Sequence, residues 1–282
     1  PVQKTRVLAA YLARLGRLLR ARGRYDLLWI QWELFPWLPT IAEIALGSGV
    51  PYVADYDDAI FHRYDLHSSA LVRAVLGRKI DAVMARAKVV VVGNDYLKAR
   101  ALQAGARQVM KIPTVIDLDR YRVVPDRDQD SFVVGWIGTN STADYLNLIA
   151  APLAQFCARR ACKLVVVGVR DIQLPGVEVE CRPWTEETEV SEIQTFDVGI
   201  MPLSDEPWSR GKCGYKLIQY MACGKPVIAS PVGINRDIVQ PGVHGYLAES
   251  DDEWLRALEG LADSPARRQS MGQEARKQVE HQ

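Results

Sequence analysis

Arg210–Leu247, RGKCGYKLIQYMACGKPVIASPVGINRDIVQPGVHGYL, is the stretch that decides the fold. Gly211 and Gly214 permit a backbone turn after the apolar run ending near Met201–Leu203, and a helix is expected to begin near Gly214. The start of such a helix carries unpaired N–H groups and the positive end of its dipole, which together attract an anion. Lys212 and Lys216 add two cations at the same place, which suits a diphosphate. If the helix reaches back to Lys212, the two lysines share a face at i, i+4, with Gln219 one turn beyond. Leu217 and Met221 then face elsewhere and pack. The same residue types also fit a surface helix with solvated lysines, and the pattern alone leaves both open.

Working outward, short apolar runs alternate with helical stretches along the whole chain. Buried strands are expected at Leu27–Gln31, Pro51–Ala54, Val89–Val92, Val109–Ile112, Phe132–Trp136, Leu164–Val167, Val198–Met201 and Val227–Ala229. Helices are expected between them, including Ala143–Arg159 and Lys216–Ala222. Continuous β-branched runs suit parallel strands covered on both faces, and their alternation with helices implies doubly wound α/β sheets. The charged stretch Asp117–Ser131, DLDRYRVVPDRDQDS, is the expected boundary. It separates an N-terminal domain over 1–120 from a C-terminal domain over 131–282. Two Rossmann-like domains of this kind are expected to face each other across a cleft, with ligands at the carboxyl ends of the strands.

Composition sets limits. The 282 residues are 48% hydrophobic and 24% charged, enough for two α/β cores. The net charge of +1 gives no global attraction to nucleic acid. The positive charge is uneven, because Lys4, Arg6, Arg14, Arg17, Arg20, Arg22 and Arg24 all precede the first acid, Asp26. Leu8, Leu12, Leu15 and Leu19 form an apolar stripe on the same expected helix. That helix either packs on its sheet with a solvated basic face or lies against an anionic bilayer. The five cysteines form no metal-ligand spacing and read as reduced thiols of a cytoplasmic protein. Neither a membrane-spanning run nor a signal peptide is visible.

The segment QYMACGKPVIASPVGINRDIV, followed by GVHGYL, resembles the retaining family 4 glycosyltransferases (group 1) of the two-domain GT-B fold. Their signature is Glu, seven residues, Glu, then Ala-Met-Ala-x-Gly-x-Pro-Val-Ile-Ala. KIDAVMARAKVVVVGNDYLKARALQAGARQVMKIPTVIDLDRY and PYVADYDDAIFHRYD resemble the same family's first domain, so the likeness runs from Tyr25 to about Glu280. It implies transfer of a sugar from a nucleotide diphosphate sugar to an acceptor hydroxyl, with retention and without a metal or resident cofactor. The expected acceptor is a saccharide or a lipid-linked saccharide, in polysaccharide or glycolipid synthesis.

Several positions depart from the pattern. Gly211 and Gln219 stand where the family has its two glutamates, and Gln219 can still accept from a ribose hydroxyl. Trp136 and Ser141 stand where a basic pair is common, in the loop GWIGTNSTAD of Gly135–Asp144. Gly138, Thr139, Asn140 and Ser141 can offer N–H and hydroxyl groups to a phosphate there, although Ser141 or Thr142 can equally serve only as a helix cap. Lys212, Gly214, Tyr215, Lys216 and Gln219 complete the expected donor contacts. Trp184, after an expected strand at Val177–Glu180, either stacks on the nucleobase or caps the core.

Asp57 aligns with the family's cleft-facing histidine. Asp57 and Asp58 are therefore candidate catalytic groups on the acceptor side, with a turn or helix cap ahead of Ala59 as the competing role. A metal held by Asp55, Asp57 and Asp58 is disfavoured, since neighbouring strand residues point to opposite faces. His62 and His67 lie near enough to assist, or are simply surface residues.

The first half opens with a basic helix rather than a strand and Gly-rich turn, begins at Pro1, and the chain stops within an expected helix at Gln282. A piece of this kind is expected to bind donor and turn it over poorly. A nucleotide-sugar epimerase and a catalytically degenerate binding subunit are the competing functions.

Overall fold

A computed structural model describes residues 2–21, 23–46, 49–125 and 131–281. The chain divides into two compact units. The first comprises residues 1–113 and 210–213, the second residues 114–209 and 214–282. Residues 117–125 of the charged stretch thus group with the second unit, where Tyr121 is fully buried.

The first unit is a four-stranded parallel sheet in the order β1-β2-β3-β4: β1 Leu28–Gln31, β2 Tyr52–Tyr56, β3 Val89–Val92 and β4 Val109–Lys111. Its helices are α1 Val2–Ala21, α2 Thr40–Leu46, α3 His62–Asp65, α4 Ala70–Leu76, α5 Lys79–Arg86 and α6 Asp95–Gln103. The β3 run VVVV needs no alternation because helices cover a parallel strand on both faces.

Helix α1 buries Leu18 and Ala21 and sets Tyr11 edge-on against Phe35. Of its leucine stripe only Leu15 is half-buried. Leu8, Leu12 and Leu19 are 59%, 60% and 53% exposed.

An unforeseen buried charge cluster holds the loop after β1. Lys79 Nζ lies 2.6 Å from Glu33 and 3.1 Å from Glu43, and it also donates to the Phe35 carbonyl. Glu43 accepts from the Phe35 N–H at 2.8 Å, and Tyr64 donates to Glu33 at 2.7 Å. Each buried charge is therefore paired and hydrogen-bonded, as burial requires.

The second unit is a six-stranded parallel sheet in the order β10-β9-β8-β5-β6-β7. The strands are β5 Phe132–Ile137, β6 Cys162–Val167, β7 Val179–Arg182, β8 Val198–Met201, β9 Val227–Ala229 and β10 Gly245–Leu247. Counted from β5, this is the Rossmann order 3-2-1-4-5-6, with its switch point between β5 and β8. The helices are α7 Asn140–Ala143, α8 Ala150–Arg159, α9 Glu189–Gln194, α10 Pro207–Arg210, α11 Tyr215–Ala222, α12 Asn235–Ile238, α13 Asp251–Ala262 and α14 Pro265–His281.

One side of the sheet packs Leu153 and Phe156 of α8 with Trp254, Leu258 and Leu261 of α13. The other packs Leu217, Tyr220 and Met221 of α11 with Ala275 of α14.

Two local expectations are corrected here. The single helix expected over Ala143–Arg159 is three pieces, α7, a 3-10 turn at Asp144–Ile149, and α8. Pro152 has no N–H for the preceding turn and its ring crowds the carbonyl four residues back, so it is accommodated in the first turn of a new helix. The strand expected at Val177–Glu180 forms two residues later, at Val179–Arg182.

Candidate donor site

In the second unit the expected residues gather at the carboxyl ends of β5, β6 and β7. Leaving β5, the chain turns at Gly138 into α7. Thr139 is the cap residue and its N–H donates to Thr142 Oγ1 at 3.4 Å, while the Thr139 and Ser141 hydroxyls share a 2.9 Å hydrogen bond. Capping therefore falls to Thr139 with Thr142 answering it. Thr139, Asn140 and Ser141 are exposed. Gly138 admits no side chain, because a Cβ would fall 2.4 Å from the buried Trp136 ring and 3.0 Å from Cε of Lys216. At the end of β6, Gly168 has φ +91, and a Cβ there would lie 2.2 Å from the Gly138 carbonyl and 3.4 Å from Cβ of Trp184. These contacts bring the β5, β6 and β7 ends into one short arc.

Helix α11 brings Lys216 to the same edge. Gly214 precedes it at φ +71, a left-handed conformation that L side chains rarely adopt, and there is no side-chain cap. The helix begins at Tyr215, so it does not reach Lys212, and the shared i, i+4 face of the two lysines is not formed. Lys216 instead lies over the Trp136 ring, 5.4 Å from its centroid. Tyr215 is exposed, and Leu217 and Met221 are fully buried.

Gln219 is 3% exposed and joins a chain of hydrogen bonds. Its Nε2 donates to the Tyr121 hydroxyl at 3.0 Å, and that hydroxyl donates to Glu189 Oε1. Glu189 Oε2 accepts from Trp184 Nε1 at 2.6 Å. Burial, and then the hydrogen bond to Glu189, push the Tyr121 hydroxyl far above the ordinary tyrosine range, so it remains a neutral donor. The Trp184 residue is 51% exposed while its indole nitrogen is tied to a buried carboxylate.

The remaining expected residues belong to the first unit. Asp57 Oδ1 accepts from Trp32 Nε1 at 2.7 Å. Trp32 sits at φ +66 and is held on three sides, its N–H to the Asp55 carbonyl, its carbonyl to the Tyr56 hydroxyl and its indole to Asp57. Asp58 Oδ1 accepts from the Ala59 N–H at 2.9 Å, and its other oxygen lies 3.7 Å from Lys212 Nζ. Asp55 is occupied by Trp29 Nε1 at 3.1 Å. Burial raises the Asp55 carboxyl above the usual range.

Among the described residues, no group of three His, Cys, Asp or Glu side chains is placed to hold a metal. Asn94 caps α6 and donates from Nδ2 to the carbonyls of Gly211 and Lys212, each at 3.0 Å. A Cβ on Gly211 would lie 2.3 Å from Cβ of Ala59, so the backbone there excludes a glutamate.

A family model for glycosyl transferases of group 1 matches residues 131–264. Residues 131–264 are thus similar to a group 1 glycosyltransferase domain. A D-inositol 3-phosphate glycosyltransferase of Catenulispora acidiphila is 27% identical to this glycosyltransferase, over 93% of the chain and 69% of the relative. TuaH of Bacillus subtilis, named for teichuronic acid biosynthesis, is 23% identical over 77% of the chain and 59% of its own length.

Among solved structures, sucrose-phosphate synthase of Thermosynechococcus elongatus superposes with a TM-score of 0.72 at 20% identity, covering 94% of this chain and 71% of that one. Anabaena HepE, solved with UDP and glucose, gives 0.71 at 17% identity, covering 95% and 76%. The fold is GT-B, an α/β architecture of Rossmann-like domains. Tyr121 and Glu189 of this glycosyltransferase escaped the sequence reading, as did the Lys79 cluster. Their only sequence signal is a Tyr and a Glu beside expected elements, which any surface shares.

Proposed function

We propose that this glycosyltransferase binds a nucleotide diphosphate sugar along the carboxyl edge of its second sheet. It moves the sugar to an acceptor hydroxyl with retention, in polysaccharide or glycolipid synthesis. The observation that carries this is Lys216, held over Trp136 beside Gly138 at the switch point of a Rossmann-ordered sheet. The N–H groups that open α11, together with Lys216, offer charge to the diphosphate as it departs, which is electrostatic catalysis needing no metal. Gly138–Ser141 supply N–H and hydroxyl groups, Trp184 offers a ring to the base, and Gln219 offers an acceptor to the ribose. Of the two lysines Lys216 carries the phosphate role, since Lys212 is drawn to Asp58. Asp57 and Asp58 are the acceptor-side groups.

The relatives named for inositol phosphate and teichuronic acid support a saccharide or lipid-linked acceptor. Five free thiols support a reducing cytoplasmic setting. No helix among the described residues is long and apolar enough to cross a membrane, so contact with a lipid-linked acceptor would be peripheral, through α1.

Calorimetry with UDP, ADP and GDP, followed by product analysis with the matching nucleotide sugars, tests the proposal. A glycosylated acceptor with the donor's anomeric configuration is expected. An isomerised donor would make the protein an epimerase, and binding without any product would make it a binding subunit.

A further inference from the structure

Glu189 is a buried carboxylate whose short hydrogen bonds come from neutral groups rather than from a cation. Arg120 pairs with it more distantly, at 3.6 Å, and both of its oxygens are taken by neutral donors, Tyr121 and Trp184. A buried charge held chiefly by neutral hydrogen bonds is costly to keep, and such groups concentrate at functional sites.

The direction of the bonds follows from the chemistry. An ionised carboxylate only accepts, so the single Tyr121 proton must point to Glu189. The Tyr121 oxygen can then only accept from Gln219, which forces the amide nitrogen toward Tyr121 and leaves the Gln219 carbonyl oxygen as the group offered elsewhere. On the other side, the same carboxylate holds the indole nitrogen of Trp184, whose residue is half exposed. Lys216 stands three residues from Gln219 on α11, one turn away on the same face.

We propose that Glu189 is the positioning residue for the nucleoside end of the donor. Through Tyr121 it presents the Gln219 carbonyl oxygen to the ribose, and through Trp184 it orients the ring offered to the base. The inference rests on the donor site proposed above. It adds that one buried carboxylate, remote from the phosphate groups, decides how tightly the nucleoside is gripped.

The test compares UDP, or whichever of UDP, ADP and GDP the full chain binds most tightly, with inorganic pyrophosphate. In Glu189→Gln one of the two neutral donors meets an amide N–H₂, so the chain of bonds breaks. Nucleoside diphosphate affinity is expected to fall by about tenfold or more, and pyrophosphate affinity to change by less than about twofold. Tyr121→Phe should show the same asymmetry.

The combination Glu189→Gln with Gln219→Glu restores the network in the opposite direction. Tyr121 then donates to the carboxylate at position 219 and accepts from the amide at position 189, whose carbonyl still receives the Trp184 N–H. This double variant is expected to recover affinity to within about threefold of wild type, a coupling that independent sites would not show.

Equal affinity in wild type and Glu189→Gln would overturn the inference, as would equal losses for both ligands with no recovery in the double variant. Binding of pyrophosphate but of no nucleoside diphosphate by wild type would remove the donor site itself, and the inference with it.

Discussion

Lys216 lies over the ring of Trp136, its Nζ 5.4 Å from the ring centroid, and a Cβ on Gly138 would collide with the Trp136 ring and crowd Lys216. The contact holds a lysine at the start of a helix that has no side-chain cap. Lys216→Ala is expected to weaken a nucleoside diphosphate by about ten- to a hundredfold, the equivalent of losing a charge-assisted contact of roughly 1.5–3 kcal/mol. The bare nucleoside should be little affected. Calorimetry on both ligands checks this, and equal losses would remove Lys216 from the phosphate site.

Lys79 holds Glu33 and Glu43 together in the first unit, and all three side chains are nearly or fully buried. Lys79→Met leaves two carboxylates buried without their common cation. Removing one member of such a cluster costs about 3–5 kcal/mol. Denaturant unfolding should show that loss, and a change below about 1 kcal/mol would mean that water reaches the carboxylates.

Helix α1 turns Leu8, Leu12 and Leu19 outward and exposes Arg6, Arg14, Arg17 and Arg20. Co-sedimentation with phosphatidylglycerol vesicles is expected at low salt and should weaken as salt screens attraction beyond about 8 Å at physiological ionic strength. Leu12→Ser should reduce it without lowering Tm, because Leu12 is not a core residue. Sedimentation indifferent to lipid charge, salt and Leu12 would assign the stripe no membrane role.

Arg182 at 2.7 Å and Lys163 at 2.8 Å draw the Glu180 carboxyl down from 4.5 to about 2. Its pKa is depressed on folding, so its stabilising contribution is complete above about 4.5 and is lost as pH falls toward about 2. Glu180→Gln should therefore lose less stability than wild type across that window in an acid titration followed by circular dichroism. The difference should be small, since the pair is partly solvated. A wild type and variant with parallel acid profiles would show that the bridge contributes nothing.

The parallel strands were the legible part of this protein. Val89–Val92, Val198–Met201 and Val227–Ala229 form where their residues indicate, because a strand covered on both faces needs an unbroken apolar run and few other elements do. The α11 start was legible for a similar local reason, Gly214 being free to take φ +71. Pro152 carried the information that α8 must begin anew, but the surrounding helical pattern masked it.

The α/β class, the position of most strands, the group 1 likeness of residues 131–264 and the residues that open α11 and follow β5 were all legible in the sequence, since each rests on a local pattern or short motif. Tertiary structure alone decided how those residues are employed. Lys212 lies 3.7 Å from Asp58 and apart from the α11 face of Lys216, because residues 210–213 pack with the first unit and the chain re-enters the second at Gly214. Gln219 finds Tyr121 from 98 residues away, and Tyr121 finds Glu189 across 68. No periodicity links positions so far apart. They meet because the sheet order sets the β7 end and α11 around one buried carboxylate, and a buried charge must find its donors wherever the chain brings them.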